Sequence, residues 1–282
     1  YMWQAAKELR IPTVAILDQW LNYRMRFSLT PAADAFPLES LVIPDKICVM
    51  DELARRDMLA EGFSPENLEV TGQPYFETVA QRQAAITESE CENIRQELGV
   101  RPNEQLITFA SEPIIEDRST HASLGYDQCS IVAHLFESFA LAAKHGLAKP
   151  LVLAIKLHPR NDKKIMAECL AKFSPPQNIR VLLVDTFVPQ RIIAVSDLVI
   201  GMSSMFLLEA ALAGKPIMSV QIGLRQADPF MLSRIGRVAS ILDASELTQQ
   251  LQAATSGGTA PAAPFTPSVN NCPLKWQSFS PI

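Results

Sequence analysis

The chain has 282 residues, 48% of them hydrophobic and 20% charged, a composition that excludes disordered, collagen-like and fibrous classes. Its length is enough for one large domain or two modest ones, either able to bury a core. A formal charge of −5 supplies no general field for nucleic acid or an anionic membrane, so an anionic ligand has to be held locally. Read in chain order, the sequence opens at Tyr1-Met2-Trp3 inside a helical stretch over 3–9, which implies residues upstream and an incomplete first lobe. Residues 11–17 (IPTVAIL) are a β-rich apolar run ended by Asp18 and predict a buried strand. A second strand is expected over 47–50, followed by a helix that starts at Asp51 and runs towards Gly62. A third strand, 68–71, is closed by Gly72-Gln73-Pro74, the candidate domain boundary, because proline fixes φ and has no N–H to continue a ladder.

Beyond that turn the spacing predicts a charged helix over 84–98 and then strands at 106–110, 151–156, 181–184, 198–200 and 217–220. Helical stretches at 131–145, 163–173, 188–195 and 206–213 lie between or after them. Alternating strands and helices, with strands apolar on both faces, indicate an α/β, doubly wound parallel sheet covered on each side. Ligands of such sheets bind outside the carboxyl ends of the strands. The expected organisation is a first lobe over 1–76, a second over 77–254, and a tail over 255–282 rich in Pro, Gly and Ser, which Trp276 and Phe279 would pin to the surface.

The cysteines, Cys48, Cys91, Cys129, Cys169 and Cys272, are scattered with no CxxC. Their odd number and the lack of a signal peptide point to a reducing cytoplasm. No apolar run reaches the roughly 18–20 residues that cross a bilayer, which leaves peripheral membrane attachment open. No Asp-x-Asp cluster suggests a metal, and His121, His134 and His145 lack a partner pattern and read as structural or surface residues.

Two strand ends carry the chemistry. The strand over 151–156 runs into His158-Pro159-Arg160, placing an imidazole and a guanidinium where both would face an anion. The plainer reading, a packed histidine and a solvated arginine, is equally compatible with so short a motif. The strand over 198–200 passes through Gly201-Met202 into Ser203 and Ser204, which precede an apolar helix. Free amides and the positive end of the helix dipole attract phosphate there, and serine hydroxyls add donors. A simple N-cap explains one serine as well. Glu209, farther along that helix, is placed to accept from the hydroxyls of a ribose, or else faces solvent. Asp18 is a candidate base or a turn cap. Glu112, Glu116 and Asp117 are further acids of a loop in which most carboxylates are solvated.

These residues resemble the glycosyltransferase-B superfamily, the twin Rossmann-like fold of many sugar-nucleotide transferases and of the hexosamine 2-epimerases. The resemblance rests on the stretch 10–18, on 45–54 with 62–74, which is similar to the segment closing the first domain, on His158-Pro159, and on 203–216. It implies two Rossmann-like lobes, with His158 on phosphate, Ser203 and Ser204 on phosphate or nucleotide, and Glu209 near the ribose. The His-Pro and Ser-Ser pair also resembles the cytidine-nucleotide site of some bacterial sialyltransferases. Epimerase sequences usually carry a glycine-rich stretch with paired acids at the helix start, whereas this chain has Ser204-Met205-Phe206-Leu207-Leu208-Glu209.

The expected activity is transfer of a sugar from a nucleotide donor to a polysaccharide or lipid-linked acceptor. His158, Arg160 and the Ser203/Ser204 helix start would stabilise the leaving phosphate. Asp18 would serve as base, and no cofactor beyond the nucleotide-sugar substrate is required. The alternatives are a hydrolysing UDP-N-acetylhexosamine 2-epimerase and a non-catalytic nucleotide-sugar-binding module. Donor, acceptor and oligomeric state are not legible in the sequence.

Overall fold

The structure is a computed structural model that describes residues 2–29, 37–117, 124–173, 175–177 and 179–256. His121, Cys272, Trp276, Phe279 and the tail from 257 lie outside the described residues. The chain separates into two compact units that divide between Glu77 and Thr78.

The first unit holds α1 (Met2–Glu8), β1 (Val14–Ile16), β2 (Lys46–Val49), α2 (Glu52–Ala60) and β3 (Leu68–Val70). The three strands form one parallel sheet in the order β1-β2-β3. Asp51 caps α2 by accepting from the Ala54 amide at 2.8 Å and also takes the Trp20 indole N–H, so a single carboxylate ties a helix start to an aromatic anchor. Gly62, at φ 92°, lies just past the helix in a conformation that side chains resist. The expected buried strand is shorter and half-exposed. Only Ala15 is buried in β1, while Val14 and Ile16 are exposed, because strand side chains alternate between the two faces of the sheet.

Pro74 does not end an element. It opens α3 (Pro74–Ala84), since a residue without an N–H is tolerated where the helix leaves that donor unpaired. The predicted helix over 84–98 is α4 (Glu88–Glu97), separated from α3 by Thr87, which forms a reciprocal capping box with Glu90.

The second unit continues with β4 (Gln105–Ala110), α5 (Gln128–Lys144), β5 (Leu151–Lys156), α6 (Lys163–Lys172), β6 (Ile179–Val184), α7 (Pro189–Val195), β7 (Leu198–Gly201), α8 (Met205–Leu212), β8 (Ile217–Val220), α9 (Met231–Arg234), β9 (Ser240–Ile241) and α10 (Ala244–Thr255). All six strands are parallel, in the order β6-β5-β4-β7-β8-β9. One face is covered by Leu135 and Phe139 of α5, Met166 of α6 and Leu247 and Leu251 of α10. The other is covered by Ile94 of α4 with Ile192 and Val195 of α7. β4, β5, β7 and β8 are therefore apolar almost throughout, and each fully buried Leu, Ile or Phe contributes roughly 1.5–3 kcal/mol.

Thr255, expected in the tail, instead completes α10, buried and bonded through its hydroxyl to Leu251 O. Two cysteines read as scattered are paired. The Cys129–Cys169 disulfide joins α5 to α6, with Cα atoms 5.5 Å apart. Among the described residues, no helix is long and apolar enough to cross a membrane.

Candidate functional site

In the second unit the chain starts its sheet in the middle. β4 is followed outwards by β5 and β6, then the chain crosses back to place β7 on the other side of β4. The carboxyl ends of β4 and β7 thus form the point where the winding reverses, the place where parallel sheets open a crevice. The turn after β5 carries His158, and the turn after β7 carries Ser203 and Ser204, so the two sequence-predicted elements flank the same end of β4.

The His158 turn is preorganised by its own neighbours. Its amide donates to Asn161 Oδ1 at 2.9 Å, Asn161 N returns a bond to His158 O, and the Arg160 amide donates to Nδ1 of the imidazole at 3.1 Å. With Nδ1 accepting, the proton of the neutral ring resides on Nε2. Burial lowers the pKa of His158, and the charges of Arg160 and Lys156 lower it further, against a small opposing pull from Glu116. The ring is therefore a neutral donor through Nε2 at pH 7. Arg160 is exposed beside it.

Glu116 fixes this turn from the loop after β4. Its carboxylate accepts from Asn161 Nδ2, from the Asp162 amide at 2.8 Å and from Gln128 Nε2 at 2.7 Å. Burial pushes this carboxyl up, but the Asp162, Asn161 and Gln128 donors outweigh it and hold it below the usual range. Four residues earlier, Glu112 reaches in the opposite direction and accepts from Ser203 N at 2.7 Å and Ser203 Oγ at 3.2 Å. Part of Glu112 reaches the surface, yet its carboxylate is desolvated, which raises its pKa. The amides of Ser203, Ser204 and Met202 and the Ser203 hydroxyl pull the other way without cancelling the effect.

The helix start predicted to offer free donors is thus engaged by an acid of the chain itself. Ser204 holds the N-cap position of α8, but its hydroxyl makes no capping bond, and among the described residues it is buried without a hydrogen-bond partner. Ser111, 4% exposed at the end of β4, likewise has a hydroxyl without a partner among the described residues. Tyr126, buried, donates to Gln221 Oε1 at 3.1 Å. Burial and the Glu112 charge raise its pKa, offset in part by the Ser203 hydroxyl.

Glu209 is 6% exposed and takes a bond from Gln190 Nε2 of α7 at 3.2 Å, which removes the solvent-facing alternative. Asp18 belongs to the first unit, where Oδ1 accepts from Arg26 at 2.7 Å, its backbone carbonyl accepts from Gln73 and its side chain is 66% exposed. Sequence reasoning passed over Lys156, 7% exposed with its ammonium on Leu157 O and its pKa lowered by burial, and it treated Glu112 and Glu116 as loop acids. The legible signal was an acid pair four residues apart directly after a central strand. Among the described residues, no group of three His, Cys, Asp or Glu side chains is placed to hold a metal ion.

The same architecture recurs in solved proteins. The chain superposes on UDP-GlcNAc 2-epimerase from Methanocaldococcus jannaschii with a TM-score of 0.59 at 13% identity, over 93% of this chain and 68% of that one. This is the glycosyltransferase-B fold. UDP-GlcNAc 2-epimerase from Neisseria meningitidis, solved bound to UDP-GlcNAc, has the same TM-score at 15% identity over 93% of this chain and 68% of its own. HepE from Anabaena, solved with UDP and glucose, gives 0.53 at 13% identity over 92% and 68%. No protein-family model matches the sequence, and no curated protein matches it significantly. At these identities the glycosyltransferase-B likeness is one of fold.

Proposed function

We propose that the second unit binds a nucleotide-sugar at the carboxyl edge of β4, β5 and β7, and that the protein transfers the sugar to a polysaccharide or lipid-linked acceptor. The observation that carries this reading is the neutral His158, its proton placed on Nε2, on a turn flanking the same strand end as the α8 start. In this scheme His158 Nε2–H and Arg160 hold phosphate oxygens, and the unpartnered hydroxyls of Ser111 and Ser204 supply further donors, since a buried hydroxyl left unpaired costs about 1–3 kcal/mol. Ser203 positions the helix start, and Glu209, steadied by Gln190, receives the ribose hydroxyls. Asp18 is the proposed base on the acceptor side. Charge building on the leaving phosphate meets the His158 ring already oriented by the Arg160 amide. The UDP and UDP-sugar complexes of the fold relatives support a nucleotide-sugar as the donor.

The test is calorimetric titration with UDP-, GDP- and CMP-linked sugars. Heat with one of them that vanishes in His158→Ala is the expected result, and no heat with any sinks the reading. Epimerisation is the competing reaction in this fold and predicts solvent deuterium at C2 of the sugar. Transfer predicts none. Glu112 and Glu116 are both engaged as hydrogen-bond acceptors within the second unit, which favours transfer over proton abstraction by that pair.

A further inference from the structure

The peptide unit that leads into His158 is held from both sides. Its N–H donates to Asn161 Oδ1 at 2.9 Å, and its carbonyl, that of Leu157, accepts from Lys156 Nζ at 2.7 Å. An amide is planar, so a bond at each end fixes the plane from which the imidazole leaves the strand. A charged donor on the carbonyl also polarises the amide and strengthens the bond its N–H makes to Asn161.

Lys156 is a costly residue to place there. It ends β5, 7% exposed, in register with Ala110 of β4 and Val184 of β6, which are both buried and apolar. An apolar side chain would seal the sheet at that point without taking an ammonium out of water. Among the described residues the ammonium donates to the Leu157 carbonyl alone, and Asp185, the carboxylate whose charge bears on it, is paired with Lys163 of α6. Sheet packing therefore gives no reason for a cation at this position, whereas the His158 turn does. The charged groups that act on the His158 ring are Arg160 on the turn itself, Lys156 from β5 and Glu116 from the loop after β4.

We propose that Lys156 is a positioning residue for His158, setting the direction of the imidazole through the Leu157 carbonyl. Its charge adds a second effect, since a cation beside the ring opposes protonation and keeps Nε2–H a neutral donor. The consequence for phosphate binding rests on the nucleotide-sugar reading, but the link between Lys156 and His158 is a property of the chain alone.

The experiment follows His158 by NMR in wild type, in Lys156→Met, which keeps the length without the charge, and in Lys156→Arg, which keeps the charge. The ring is titrated with pH and the backbone amide is timed by hydrogen exchange. In Lys156→Met the amide should exchange about tenfold faster, the effect of losing one hydrogen bond to a charged group, and the ring should titrate at a higher pH. Lys156→Arg should keep the ring near its wild-type midpoint. An amide exchanging as in wild type, in a Lys156→Met chain whose unfolding midpoint is unchanged, overturns the proposal even if the ring moves, because loss of any nearby charge would move the ring. UDP titrated into wild type tests the nucleotide reading separately: no heat sinks that reading, and the amide still decides the role of Lys156. Should Lys156→Met not fold, wild type decides. A His158 amide exchanging at the rate of an unfolded chain, or a ring titrating at or above the ordinary value of about 6.5, overturns the proposal.

Discussion

A histidine contributes to an anion site only when the surrounding chain decides which nitrogen carries the proton. Here the Arg160 amide makes that decision by occupying Nδ1. In the proposed site, replacing His158 by alanine should remove one charge-assisted bond of about 1.5–3 kcal/mol and lower nucleotide affinity about 10–100-fold by calorimetry, with the unfolding midpoint nearly unchanged. The same ring predicts a pH effect. Its folded pKa is below the ordinary histidine value of about 6.5, so the unfolded chain binds a proton that the folded chain refuses. Stability from this group is full above that value and is lost as pH falls towards the folded pKa. Denaturant unfolding at a series of pH values should show this decline in wild type, and it should be absent from His158→Gln. Glu116→Ala should release Asn161 and the Asp162 amide, costing about 1–3 kcal/mol in urea unfolding and weakening nucleotide binding indirectly through a loosened His158 turn.

Among elements, the loops are as closely specified as the strands. Gly125 and Gly223 have φ of 87° and 99°, and a Cβ on Gly223 would come 2.8 Å from the Gly125 carbonyl oxygen. Arg225 N bonds Leu124 O beside this contact, so the segment after β8 is laid against the segment that carries Tyr126. Gly223→Ala should cost about 1–3 kcal/mol, read as a lower urea midpoint, because the backbone conformation and the close approach both oppose a side chain. Most of the elements themselves were legible. The runs at 106–110 and 151–156 coincide with β4 and β5 because unbroken apolar stretches of that length suit a strand covered on both sides. α3 was hidden by Pro74, which marks a break in most contexts and a helix start in this one. β9 and α9 were missed because two and four residues are too few to show a period.

For the molecule as a whole, the Cys129–Cys169 bond ties α5 to α6, and α6 begins directly after the His158 turn. Reduction should lower stability by about 2–4 kcal/mol, visible as a lower melting temperature in dithiothreitol, and Cys129→Ser with Cys169→Ser should be insensitive to the reagent. An unchanged melting temperature on reduction would show that the pair contributes nothing to holding these helices.

The sequence alone determined the layered α/β architecture and where the two strand ends of the proposed site fall in the chain, because periodicity and strand-to-helix transitions are local properties. Only the tertiary structure decided what those ends hold. Glu112 and Ser203 are 91 residues apart, and Glu116 and Asn161 are 45 apart. Those acids become ligands of helix starts only when the sheet order places β4 between β5 and β7, and strand order depends on long-range pairing that no local pattern encodes.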